Sequence, residues 1–211
     1  MQNNKEELKD FLHIYICPLP SETFIGEVYP ESRNREIQDA KNERVRREKY
    51  YAWKLLEYAI EESTKSSIRD YSFLKLETGK WTADGIYFSL SHSNAALAVA
   101  VSSRPVGVDI ELINPPRAEG FARRILSDSE FLDFEALPEN ERLAFLIKKW
   151  TEKESLFKLF SDKAFVPSEI SATEKTTITG TVEILNREYS YSVSSEDLDK
   201  AKIIIINELK K

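Results

Sequence analysis

The stretch IYFSLSHSNAALAVAVSSRPVGVDIEL, residues 86–112, leaves a folding chain few choices. Residues 86–91, 95–102 and 106–112 each have the alternation or the β-branched content of a strand. Ser-His-Ser-Asn and Ser-Ser-Arg-Pro separate them and read as turns. The middle of the chain is therefore expected to be a three-stranded meander, with His92, one of only two histidines, in its first turn.

Long helices flank it. NERVRREKYYAWKLLEYAIEES places Tyr51, Leu55, Leu56, Tyr58 and Ala59 near one helical stripe, with charges opposite. A second helix is predicted over about residues 139–160, and a helical stretch over about 117–136 with Ser127 and Glu130 as a capping box. Residues 12–17 read as an opening strand and the segment after Ile170 as three or four more. Each half thus offers a long helix and several strands, which gives an α+β chain of two similar lobes, 1–104 and 105–211, with a boundary near Arg104.

Composition narrows the function classes. A single cysteine, Cys17 in an apolar stretch, excludes an internal disulfide framework and a cysteine-based zinc cluster, and reads as a buried thiol. The net charge of −6 argues against nucleic-acid binding. Between Arg33 and Lys54, however, eight basic residues stand against four acidic ones, enough to meet a phosphate-bearing ligand or to form a solvated helix face. The N-terminal residues lack a secretion-signal pattern and no apolar run has membrane-spanning length, so a cytoplasmic protein without membrane contact is expected.

In the strand RPVGVDIELI the period of two sets Gly107, Asp109 and Glu111 on one face and Val106, Val108, Ile110 and Leu112 on the other. Two carboxylates sharing a face repel, and a hard divalent cation, Mg²⁺ or Mn²⁺, is the natural compensation. A solvated acidic face on an edge strand is the alternative. In the helix LIKKWTEKESLFKLF the apolar stripe is read as Leu146, Trp150, Phe157 and Phe160, which puts Glu154 on its rim and Lys158 one turn on. That pair is either a third metal ligand beside a phosphate-binding cation or an ordinary surface pair.

Together, VGVDIE, the later WTEKESLFK and the preceding FSLSHS resemble the paired signature of the 4′-phosphopantetheinyl transferases, in particular the larger, surfactin-synthetase-activating type. The resemblance covers roughly residues 79–158. It implies a fold of two pseudo-symmetric lobes, each a small, mostly antiparallel sheet packed with a long helix, and an active site in the cleft between them. It implies transfer of the phosphopantetheine arm of coenzyme A to a serine of an apo acyl or peptidyl carrier protein, releasing adenosine 3′,5′-bisphosphate.

By the same resemblance Asp109, Glu111 and Glu154 ligate Mg²⁺, Glu154 is also the general-base candidate, and Lys158 contacts the pyrophosphate, with Lys153 a weaker candidate. Ser91 and His92 contact coenzyme A phosphates. Lys80, in a Gly-Lys segment followed by Trp81 where the family usually has proline, and Arg47, with Arg46 as its rival, reach the adenine end. A monomer is expected, docking acidic carriers near Phe121, Arg123 and Arg124. A Mg²⁺-dependent phosphohydrolase and a non-catalytic coenzyme A-binding module are the alternatives.

Overall fold

The computed structural model describes residues 10–22, 25–114, 119–160 and 164–209. The chain is mixed α+β. Strands β1 (Leu12–Pro18), β4 (Tyr87–Ser93), β5 (Ala96–Ser102) and β9 (Ala201–Ile205) form one sheet in the order β4-β5-β1-β9. A second sheet holds β6 (Val106–Leu112), β8 (Arg187–Ser195) and β7 (Thr177–Ile184) in that order, all antiparallel. A small hairpin, β2 (Phe73–Lys75) with β3 (Trp81–Ala83), stands apart; its loop passes through Gly79 at φ +86°, a conformation that favours glycine.

The two sheets face each other. Leu12, Ile14 and Ile16 of β1 and Ala96, Ala98 and Ala100 of β5 pack on Val106, Val108, Ile110, Tyr189 and Val193 of the second sheet. The other face of the first sheet carries α2 (Glu43–Thr64), whose Trp53, Leu55, Leu56 and Ala59 are fully buried against Tyr15, Leu97, Val99 and Val101. Each such Leu or Ile contributes about 1.5–3 kcal/mol by leaving water. The outer face of the second sheet carries α5 (Glu139–Phe160). The layers therefore run helix, sheet, sheet, helix.

Three readings change. The meander stops after two strands: β4 and β5 form a hairpin, but β6 leaves their sheet and pairs with β8, Val106 opposite Ser195. Pro105, which has no N–H to donate, closes the link at which the chain changes sheets. The Ser-His-Ser segment is not a turn but the end of β4, and the reversal comes at Asn94, φ +52°. The expected 117–136 helix divides into α3 (Glu119–Ile125) and α4 (Asp128–Ala136) because the capping box is real: Ser127 N–H donates to Glu130 and Glu130 N–H to Ser127 Oγ. Residues 117 and 118 lie outside the described residues. A further helix, α1 (Glu31–Gln38), was not foreseen.

Cys17 is buried and its thiol is pushed up to about 12 by desolvation, which fits a packing role. Among the described residues no helix is long and apolar enough to cross a membrane.

Candidate active site

The site is built where α5 crosses β6, and Gly107 sets how closely they approach. A Cβ at Gly107 would lie 1.9 Å from the Ser155 carbonyl oxygen, so only glycine lets the helix backbone touch the strand. The helix is small on this side. Thr151 and Ser155 hydrogen-bond to Ser190, Ser192 and Ser194 of β8, so the contact layer is made of hydroxyl groups rather than large apolar side chains. This corrects the expected stripe: Leu146 is buried, but Phe160 is 62% exposed, and the helix's inner face is Ile147, Thr151, Ser155 and Leu156.

The same approach aligns Asp109 and Glu111, which follow Gly107 on its face of β6, with Glu154 and Lys158. Lys158 Nζ lies 2.7 Å from Asp109 Oδ1 and 3.2 Å from the Val108 carbonyl oxygen. Asp109 is buried, so the solvated edge-strand alternative fails for it. Burial pushes the Glu154 carboxyl above its ordinary value; Lys158 opposes this, and the charges of Asp109 and Glu111 add to it. The three acids sense one another across the helix–strand contact.

Lys80 joins them from the β2–β3 hairpin, donating Nζ to the Lys158 carbonyl oxygen at 2.8 Å; burial depresses its pKa. Beside it opens a cleft of about 380 Å³ lined by Arg33, Lys80, Trp81, Phe88, Phe157 and Lys158. His92, partly exposed on β4, has Nδ1 3.9 Å from Glu48 Oε2, and Glu48 is held by Arg44 at 2.8 Å. Desolvation lowers the His92 pKa; Glu48 and Asp109 raise it, while Lys158 and Arg44 lower it further. The fields of α2, β6 and α5 meet on this imidazole.

Several predicted residues are placed differently. Ser91 is buried, with its hydroxyl 2.7 Å from Asp109 Oδ1. Lys153 is only 1% exposed and donates to Glu130 Oε2 at 2.7 Å and to the carbonyls of Pro167 and Ile170, so as folded it brings no cation to the cleft. Its three donors are all engaged in the interior. Arg47 donates to the Ser21 carbonyl at 3.5 Å and does not line the cleft, while Arg46 caps the Ala40 carbonyl.

Arg33 escaped notice because it is one of eight basic residues in its stretch. It is buried, sits 4.7 Å from the Trp53 ring, pairs with Glu36 at 3.1 Å and leaves Nε without a partner in the cleft wall. Its i,i+4 partner Ile37 is the other buried residue of α1, and that spacing was the available signal. Glu36, also missed, gathers Arg33, Lys49, Lys75 and the Trp81 indole, fixing the wall of the cleft.

Among the described residues no three histidine, cysteine or carboxylate side chains converge closely enough to hold a metal ion as placed. The chemistry of the donor set nonetheless suits a hard divalent cation: Asp109, Glu111 and Glu154 offer carboxylate oxygens, and burial together with the charges of the other two raises Glu154. The Lys158 ammonium supplies part of the positive charge that such a cation would bring.

Residues 105–206 match the model of the 4′-phosphopantetheinyl transferase superfamily. The chain is 31% identical over 96 residues to the 4′-phosphopantetheinyl transferase gsp of Aneurinibacillus migulanus, 45% of this chain and 40% of that one. It is 35% identical over 72 residues to the 4′-phosphopantetheinyl transferase Sfp of Bacillus subtilis strain 168, 34% of this chain and 32% of that one. It is 31% identical over 107 residues to the 4′-phosphopantetheinyl transferase ffp of Bacillus subtilis, 49% of this chain and 47% of that one. The matched stretches thus span less than half the length of these relatives. These likenesses bear out the resemblance carried by the two acidic motifs: the stretch that matches the 4′-phosphopantetheinyl transferase superfamily, residues 105–206, holds Asp109, Glu111, Glu154 and Lys158.

Proposed function

We propose that this chain transfers the 4′-phosphopantetheine arm of coenzyme A to a serine of an apo acyl or peptidyl carrier protein. The observation that carries the reading is the meeting of β6 and α5, where Lys158 reaches Asp109 at 2.7 Å beside Glu154 and at the mouth of a cationic, aromatic-walled cleft. A site of this kind suits a phosphoanhydride with an aromatic base at one end.

In this reading the carrier serine oxygen bonds to the β-phosphorus of the coenzyme, and the bond from that phosphorus to the bridging oxygen breaks. Adenosine 3′,5′-bisphosphate leaves with the negative charge. Glu154 takes the serine proton on the carboxylate oxygen that does not hold the metal. Lys158 faces the charge that builds on the leaving phosphate. Asp109, Glu111 and Glu154 would hold Mg²⁺ or Mn²⁺, which when bound supplies positive charge to the pyrophosphate oxygens. Lys80 and Arg33 hold the nucleotide end, and His92 donates from one ring nitrogen.

We assign the site to the junction of two pseudo-symmetric lobes, the α2-backed sheet and the α5-backed sheet, divided at Arg104 except for β9. The protein acts as a cytoplasmic monomer, and carriers dock by Phe121, Arg123 and Arg124, the arginines offering positive charge to acidic partners. The test is intact-mass spectrometry of apo acyl and peptidyl carrier proteins after incubation with the protein, coenzyme A and Mg²⁺. A gain of one phosphopantetheine arm, lost with EDTA and with Asp109→Ala, is expected; no gain on either carrier overturns the reading.

A further inference from the structure

The three serines of β4 treat β6 alike, and one of them does more. Ser89 Oγ accepts the Val108 N–H at 3.1 Å, Ser91 Oγ the Ile110 N–H at 3.3 Å and Ser93 Oγ the Leu112 N–H at 3.2 Å. All three side chains are buried. In a strand the amides of alternate residues point to the same edge, so the three serines cover the edge of β6 that faces away from β8. Ser91 alone, among the described residues, also places its hydroxyl proton on Asp109, 2.7 Å from Oδ1. One hydroxyl can do both, since it has one proton to donate and lone pairs to accept with.

Asp109 Oδ1 therefore receives two donors, the Ser91 hydroxyl and the Lys158 ammonium, both at 2.7 Å. Oδ2 has no hydrogen-bond partner among the described residues. Two donors on one oxygen fix the rotation of the carboxylate and direct the other oxygen away from both.

We propose that Ser91 is a positioning residue that holds Asp109 with Oδ2 presented to the divalent cation. The inference rests on the transferase reading above. It makes the first and last serines of SLSHS a seam between sheets and the middle one a support for the acidic site. It also leaves the Ser91 hydroxyl no proton for the coenzyme, because that proton is on Asp109.

The test compares Ser91→Ala with Ser89→Ala and Ser93→Ala, which each lose the same kind of bond to a β6 amide but none to Asp109. Mn²⁺ binding is read by the electron paramagnetic resonance signal of free Mn²⁺ at saturating coenzyme A, without carrier. Ser91→Ala is expected to bind Mn²⁺ at least about 10-fold more weakly than both controls, the scale on which groups supporting a metal ligand act. Its metal-free affinity for coenzyme A is expected to stay within about two-fold of wild type. Ser91→Cys, which keeps the volume and a weak donor, should fall between if Ser91→Ala proves unstable.

Equal Mn²⁺ binding in the three alanine variants overturns the inference while leaving the transferase reading intact. A metal-free loss of coenzyme A affinity confined to Ser91→Ala overturns it in favour of direct contact. Wild-type protein that shows no coenzyme-dependent Mn²⁺ binding, and modifies no carrier, removes the transferase reading and this inference with it.

Discussion

Gly107 and Ser155 touch backbone to backbone: a methyl group on the glycine would stand 1.9 Å from the Ser155 carbonyl oxygen and 2.7 Å from the Leu159 amide nitrogen. Neither atom can swing aside as a side chain could. Gly107→Ala must push α5 off β6, at a cost of about 3 kcal/mol. The shift separates Lys158 and Glu154 from Asp109. Chemical denaturation should report the lost stability, and carrier modification should fall more than the loss of folded protein accounts for.

Glu154→Gln should separate stability from activity. The wild-type carboxyl is pushed up by burial and by Asp109 and Glu111 against the pull of Lys158, so its ionised form is disfavoured in the fold and costs stability at pH 7. The amide carries no charge and removes that cost. Differential scanning calorimetry at pH 7 should show a higher melting temperature. Carrier modification should drop by about 10²–10⁴-fold, the span of a lost general base.

Lys153→Met tests the interior ion pair. Burial raises the Glu130 pKa, but the Lys153 hydrogen bond, the Ser127 amide and the charges of Lys153 and Lys149 outweigh it and hold the carboxyl below its ordinary value. Without the ammonium, a partly buried carboxylate and the carbonyls of Pro167 and Ile170 lose their donor. The expected loss is about 3 kcal/mol in urea denaturation. Coenzyme A affinity of the folded fraction should not change, and a specific loss of that affinity would return Lys153 to the cleft.

Acid should loosen the cleft wall through Glu36. Its burial favours the neutral form, yet bonds from Lys49 and Lys75, the charge of Arg33 and the Trp81 indole bring it down to about 2 from an ordinary 4.5. A depressed carboxyl stabilises the fold fully above its unfolded value and loses that contribution as pH falls toward the folded one. Melting temperatures measured from about pH 5 to about pH 2 should therefore fall more steeply in wild type than in Glu36→Gln. The variant should be less stable at pH 7, and equal slopes would discount the cluster.

Much of the site could be read from short-range pattern. The alternation in VGVDIE placed both acids on one face, and the helical period put Glu154 and Lys158 one turn apart; both hold in the fold. What failed depended on partners remote in sequence. Nothing in LSHSNAALAVAVSSRPVGV says that β6 will pair with Ser195 and not with Ser102, because a strand's edge is satisfied equally well by either neighbour. Large apolar residues do not mark the buried face of α5, because Gly107 and the serines of β8 leave room only for Thr151 and Ser155 at the contact. Lys153 reads as one more cation of KKWTEKES; its burial follows from Glu130, 23 positions away. Arg33 and Glu36 are ordinary in sequence and acquire meaning only when Trp53, Trp81, Lys49 and Lys75 close around them.

The parallel pairing of β9 with β1 sets an order of events in synthesis. Leu12 lies opposite Ala201 and Ile16 opposite Ile205, so β1 waits for a strand that begins only at Ala201 before that side of its sheet is covered. While the ribosome is still adding the residues between, β1 shows a bare edge to any passing strand. A loop that long closes slowly. Local pairing, as in the β4–β5 and β7–β8 hairpins, can precede it, and a chain stalled before residue 201 keeps that edge of β1 uncovered.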